Sequence, residues 1–111
     1  MKINSKIVSD IKSYSIKNLD EEVCGFVVKK ENDLMFMPIE NKHPDKANFF
    51  LISPKDYLNI KTNYKILYFF HSHLNNESFS KLDILYQKYH NIDMLLYNIA
   101  TDELKEMKCK L

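Results

Sequence analysis

A chain of 111 residues with 45% apolar and 28% charged residues has the size and composition of one globular domain, 1–111, built on a single core. No apolar run approaches the roughly 20 residues that cross a bilayer, and no apolar segment follows Met1-Lys2-Ile3-Asn4-Ser5-Lys6, so no membrane contact, no secretory leader and a cytoplasmic location are expected. A formal net charge of +1, with all 16 basic residues lysine, argues against a nucleic-acid partner and leaves no arginine fork for clamping phosphates or carboxylates.

Residues 3–17 set Ile3, Ile7, Val8, Ile11 and Tyr14 at helical spacing, with lysines largely on the opposite side, which predicts an amphipathic helix packed on the core. A polar turn, 18–22, carries Asp20, Glu21 and Glu22. Val23-Cys24-Gly25-Phe26-Val27-Val28 then reads as a buried strand, and 34–39 as its hairpin partner. Gly25 is the only glycine, and a glycine inside a strand marks a bulge or a close backbone approach.

After the polar loop 40–48, residues 49–52 are expected to form a short strand. Ser53-Pro54 opens a helix, serine as N-cap and proline at the first helical position, running to about Asn63. Residues 66–70 are an apolar central strand that leads into His71-Ser72-His73. A helix from Ser80 to His90 is expected to bury Leu82, Leu85, Tyr86 and Tyr89, and 93–99 with 103–108 to close the chain as a strand pair turning at Thr101-Asp102. The order α-β-β-β-α-β-α-β-β predicts an α/β fold, a mixed sheet with flanking helices.

The chemistry gathers around residues 71–83. On a strand, residues two apart share a face, so His71 and His73 aim their rings together while Ser72 points away. Singly such histidines are more often structural than ligating. Ser80-Lys81-Leu82-Asp83 is on its own a capping box, the serine taking the N3 amide and the acid reaching back. If Asp83 instead turns to the histidines, two imidazoles and a carboxylate make a three-ligand site with an open fourth position, as in a catalytic zinc centre. Ser80 would then stand beside the metal, able to donate to a developing oxyanion. A zinc hydrolase also needs a base for the attacking water. Glu22 is the candidate, since alternation puts it in register with Cys24, and Glu21 is its competitor. Cys24 lies in an apolar run that makes a thiol inert. Cys24 and Cys109 build neither a disulfide framework nor a Cys-x-x-Cys site. His43 is read as an exposed loop histidine and His90 as a helix C-terminal one. The His-x-Glu and Pro-Cys-x-x-Cys signatures of a zinc deaminase are absent from the sequence.

Taken together, Glu22-x-Cys24-Gly25, His71-Ser72-His73 and Ser80-x-x-Asp83 resemble the JAMM (MPN+/JAB) metalloprotease motif of Glu, His-Ser/Thr-His and Ser-x-x-Asp. Asn41 with Pro44, and Phe-x-Leu-Ile-Ser-Pro-x-Asp-Tyr over 49–57, are similar to the prokaryotic JAB pattern. The resemblance implies a JAB/MPN-like, cytidine-deaminase-like architecture. It implies zinc (Zn2+) held by His71, His73 and Asp83, water activated by Glu22, and Ser80 stabilising the tetrahedral intermediate. It implies hydrolysis of a peptide or isopeptide bond in a protein or peptide substrate, such as a ubiquitin-like or sulfur-carrier tail or a phage tail-associated substrate. The alternative is a non-catalytic MPN-type scaffold or protein-interaction domain. Leu74 stands where the family usually has proline, and six residues separate His73 from Ser80 where seven are usual, a shortening that bears on Ser80 more than on the metal ligands.

Overall fold

The computed structural model describes residues 3–75 and 78–109; Asn76 and Glu77, for which the sequence predicts a short polar loop, lie outside the described residues. Its elements are α1 (Ser5–Lys17), β1 (Cys24–Lys30), β2 (Asp33–Ile39), α2 (Pro54–Asn63), β3 (Lys65–His73), α3 (Lys81–His90), β4 (Asp93–Asn98) and β5 (Glu103–Met107). The five strands form one sheet in the order β2-β1-β3-β4-β5. Only the β3–β4 pair is parallel, and α3 makes the crossover that a parallel pair requires. Among the described residues no helix is long and apolar enough to cross a membrane.

Helix α1 begins where Asn4 caps it, its side chain accepting from the Ile7 amide at 2.9 Å. Its inner stripe, Ile7 and Ile11, packs with Val23, Val27, Tyr68, Phe70, Leu95 and Tyr97 on one face of the sheet. The opposite face gathers Cys24, Phe26, Val28, Phe69 and Met94 under α2 and α3, with Ile52 and Ile60. Each fully buried aliphatic or aromatic side chain in these layers contributes roughly 1.5–3 kcal/mol of transfer free energy. The strict alternation of β3 slips at one place, where Val27 pairs with Tyr68 but Val28 pairs with Ile66. Beyond that bulge the alternation is clean. Tyr68, Phe70 and Ser72 face α1, while Phe69, His71 and His73 face the α2/α3 side.

Gly25 behaves as its isolation suggests. A Cβ there would sit 2.3 Å from the Met37 carbonyl oxygen and 2.9 Å from Pro38 Cα, so only glycine lets β1 and the edge strand β2 approach this closely.

Two expectations from the sequence are overturned. Residues 49–52 are not a strand; they run as irregular chain outside the five-stranded sheet. Its backbone is bound instead by the Lys42 amide, donating to the Leu51 carbonyl at 2.9 Å, and by the Asn41 side chain. Local composition suggested a strand, but no neighbouring strand offers a ladder. Helix α3 is also turned relative to its apolar stripe: Asp83 and Gln87 are buried and Tyr86 packs on the core as expected, whereas Leu82, Leu85 and Tyr89 are 59%, 60% and 85% exposed. Anchoring of Asp83 and Gln87 overrides the hydrophobic pattern. Gln87 donates to the Met107 carbonyl at 2.6 Å, and Asp83 is held as described next.

Candidate metal centre

The site lies at the C-terminal end of β3, where the strand hands over to α3. His71 and His73 are buried, at 0% and 5% exposure, because the strand carries them into the α2/α3 layer rather than to its rim. Ser72 turns the other way, as alternation requires, and ties β3 to the entry of β1. The Val23 amide donates to its hydroxyl at 3.0 Å, and the Ser72 amide donates to the Val23 carbonyl at 2.9 Å. That pair of hydrogen bonds fixes the backbone immediately after Glu22.

Asp83 satisfies both of the roles that its sequence position allows. The capping box is complete: the Ser80 amide donates to Asp83 Oδ2 at 2.8 Å, and the Asp83 amide donates to Ser80 Oγ at 3.1 Å. The same Oδ2 lies 3.0 Å from His71 Nε2 and 3.5 Å from His73 Nε2. Capping orients the carboxylate toward the histidines instead of competing with them. Ser80 Oγ accepts from the helix, and as a hydroxyl it retains a proton to donate.

The three side chains offer ligand atoms that all lie within 4.8 Å of one another. Tetrahedral bonds of about 2.0–2.1 Å set ligand atoms about 3.3 Å apart, a value bracketed by the two shorter separations. His71 supplies an independent sign of fit. Although its Nε2 is 3.0 Å from Asp83, neither of its ring nitrogens has a hydrogen-bond partner among the described residues. Nε2 and Oδ2 thus stand face to face without a hydrogen bond between them, as two ligands of one ion do. Two donors set side by side toward a third point are what a shared cation requires. This buried His71-His73-Asp83 group can hold a metal ion.

The protonation states agree. Burial pushes His71 below its ordinary value, favouring the neutral imidazole that binds metals. Burial alone would raise Asp83, but its contacts with His71 and His73 and the Ser80 amide outweigh that and hold it well below the usual carboxylate range.

Glu22 arrives from the other side. It is 8% exposed, with Oε2 4.0 Å from His73 Nε2. Its backbone is held by its own amide donating to the Lys46 carbonyl at 2.7 Å and by Asn41 Nδ2 donating to its carbonyl at 2.7 Å. Glu22, His73, Ser80 and Asp83 together line an open cavity of about 440 Å³, walled by Ala47, Asn48, Phe49 and Phe50 on one side and Leu74, Asn75 and Leu82 on the other. Glu21 is not among the residues lining it.

The remaining candidates sort themselves by position. Burial, then the carboxylates Glu21 and Glu22, push the Cys24 thiol up to about 12, which leaves it un-ionised and unreactive. His43 belongs to its loop: it is half-buried against Phe49, ring centres 5.0 Å apart, and its Nδ1 accepts from the Asp45 amide at 2.9 Å. His90 is not a simple helix-end histidine; it sits among Tyr57, Phe69, Tyr86 and Tyr89. Two residues that shape the site carried no functional signal of their own in the sequence. Asn41 read only as part of the resemblance to the prokaryotic JAB pattern and Phe50 as a strand residue, and the partners that tie them to the site, Glu22 and Phe49 for Asn41 and His71 for Phe50, lie 19, 8 and 21 positions away along the chain.

No protein-family model and no curated protein matches this chain. Among solved structures it is similar to the solution structure of protein DSY2949 from Desulfitobacterium hafniense, a structural-genomics target, at a TM-score of 0.68 and 17% identity over 95% of this chain and 88% of that one. That likeness supports the α/β fold.

Proposed function

We propose that the protein is a zinc-dependent metallopeptidase or isopeptidase of the JAMM type, with the JAB/MPN-like architecture that the motif implies. The observation that carries the reading is the convergence of Glu22, 4.0 Å from His73 Nε2, on the buried His71-His73-Asp83 group, with Glu22, His73 and Asp83 lining an open cavity. A metal ion alone needs only the three ligands; a buried carboxylate beside them, brought in by the segment that leads into β1, is what hydrolysis adds.

His71, His73 and Asp83 would hold the zinc. Bound there, it supplies Lewis-acid polarisation of the scissile carbonyl and lowers the pKa of water. Glu22 takes a proton from the attacking water as its oxygen bonds to the carbonyl carbon. It returns that proton to the amine when the C–N bond breaks, leaving a carboxylate and a free amine. Ser80, whose oxygen is fixed by the Asp83 amide, directs its hydroxyl proton to the carbonyl oxygen as charge develops there. The cavity suits an extended chain segment, such as a peptide or the tail of a ubiquitin-like or sulfur-carrier protein, or of a phage tail-associated substrate.

The test is metal analysis with a peptide-cleavage panel. About one zinc per chain is expected, and Glu22→Gln should retain the metal while losing hydrolysis by at least about 100-fold. A parent protein that takes up no zinc, or a Glu22→Gln variant as active as the parent, refutes the reading. The outward stripe of Leu82, Leu85 and Tyr89 favours a second reading, a non-catalytic protein-interaction domain, which zinc binding without any bond cleavage would support.

A further inference from the structure

A metal-ligating histidine ordinarily donates its second ring N–H to a carboxylate, carbonyl or water, which fixes the ring's orientation. His71 departs from this, for neither ring nitrogen has a hydrogen-bond partner among the described residues. Its ring is instead covered by Phe50, nearly parallel at 26° with centres 4.7 Å apart. Phe50 is wedged in turn, packed on the core with the Tyr86 ring against it at 5.5 Å and 70°.

What holds Phe50 in place is Asn41, which is 1% exposed. Its Nδ2 donates to the Phe49 carbonyl at 2.9 Å and its Oδ1 accepts from the Leu51 amide at 3.0 Å, so one side-chain amide grips the chain on both sides of Phe50. The second Nδ2 proton goes to the Glu22 carbonyl at 2.7 Å, and the second Oδ1 lone pair accepts from the His43 amide at 3.0 Å. Every donor and acceptor of the amide is used. Asn41 therefore joins the segment that covers a metal ligand to the segment that carries the buried carboxylate.

We infer that Phe50 and Asn41 are positioning residues of the metal centre: the Phe50 ring orients His71 by stacking in place of a hydrogen bond, and Asn41 sets Phe50 and Glu22 in a common frame. This rests on the metal-centre reading above but not on peptidase activity. The chemistry is that of a divalent, nitrogen- and oxygen-liganded ion of the zinc type.

The experiment is competition titration of zinc against a chromophoric chelator, on parent protein, Phe50→Leu, Phe50→Tyr and Asn41→Asp. Phe50→Leu keeps apolar volume and loses the ring, so its zinc affinity should fall about tenfold, while Phe50→Tyr should match the parent. Asn41→Asp keeps the shape but cannot donate to Phe49 or Glu22, and it should also weaken zinc at least about tenfold. A purely packing role would weaken the metal-free fold in Phe50→Leu without this difference between leucine and tyrosine in zinc affinity. Equal affinity of Phe50→Leu and parent, or equal losses in the leucine and tyrosine variants, overturns the inference. If Phe50→Leu does not fold, Asn41→Asp decides, and unchanged zinc affinity there overturns it. An NMR measurement on the metal-free parent adds a direct check: the His71 ring protons should show an upfield ring-current shift, and its absence refutes the stack. A parent that binds no zinc refutes the metal centre itself, whereas a parent that binds it as tightly as its variants refutes only the positioning role.

Discussion

Replacing Asp83 by asparagine separates the two tasks that this side chain performs. One oxygen receives the Ser80 amide at 2.8 Å and faces His71 and His73 at 3.0 and 3.5 Å. Asparagine keeps an acceptor for Ser80, and the Asp83 backbone amide still reaches Ser80 Oγ, so the cap is weakened rather than lost. That part should cost up to about 1 kcal/mol in metal-free protein. In the proposed centre the ligand part is larger, because one of three protein ligands and the charge that would balance the metal both go. At free zinc about 100-fold above the parent's Kd, binding stabilises the parent by about 2.7 kcal/mol. A variant whose affinity has fallen 100-fold gains only about 0.4 kcal/mol at that concentration. The stability gap between the two proteins should thus widen from about 1 kcal/mol with chelator to about 3 kcal/mol with zinc. Urea unfolding of both, with and without metal, reads this directly. If zinc stabilises Asp83→Asn as much as the parent, Asp83 is not a ligand and its place beside the histidines is only a consequence of the cap.

Other consequences are equally open to measurement. The folded-state pKa of His71 is pushed below the ordinary value by burial, so the unfolded chain binds this proton more readily; stability is complete above about pH 6.5 and declines as the pH falls below it. Metal-free protein should lose thermal stability between pH 7 and 5, and His71→Leu should flatten part of that slope, with His90, lowered first by burial and then by Lys61, contributing to what remains. A slope unchanged in His71→Leu would contradict the buried neutral imidazole. Leu85→Glu should change unfolding free energy by less than about 0.5 kcal/mol, because Leu85 is 60% exposed; a loss of 2 kcal/mol or more, the range for a core leucine, would mean that α3 packs by its apolar stripe after all. Gly25→Ala drives a methyl into the Met37 carbonyl, 2.3 Å away, and should cost about 1–3 kcal/mol in chemical denaturation, with β2 the first strand to lose amide-exchange protection.

Much of this molecule follows from local sequence. The helix starts at Asn4, Ser53 and Ser80 are set by side chains that each accept from the amide three residues on, so they depend on only a few neighbouring residues. The placement of His71 and His73 on one face, with Ser72 on the other, follows from the two-residue period of a strand and holds because the bulge in β3 falls before them. The motif pointed to a site at residues 71–83 for the same reason: its residues lie on one strand end and one helix start, joined by a short loop.

Tertiary structure decided the rest, because the deciding forces act between residues far apart in the chain. Whether Ser80-x-x-Asp83 would cap a helix or face the histidines looked like a choice. The fold makes the two compatible by starting α3 at the C-terminal end of β3, so a single carboxylate oxygen meets both. The apolar stripe of α3 pointed inward on pattern alone, but burial of Asp83 and Gln87 turned Leu82, Leu85 and Tyr89 out to solvent and left only Tyr86 of the stripe on the core, since two anchored polar groups outweigh the weak rotational preference of a ten-residue helix. Residues 49–52 had strand-forming composition and no strand to pair with; the Asn41 amide captured them instead. Glu22 could be assigned to the correct face by alternation, yet its approach to His73 depends on bonds from Ser72, 49 positions on from Val23, and from Asn41, 19 positions on from Glu22. Periodicity specifies which way a side chain points along its own element. Which elements meet there, and at what distance, is a property of the packed sheet.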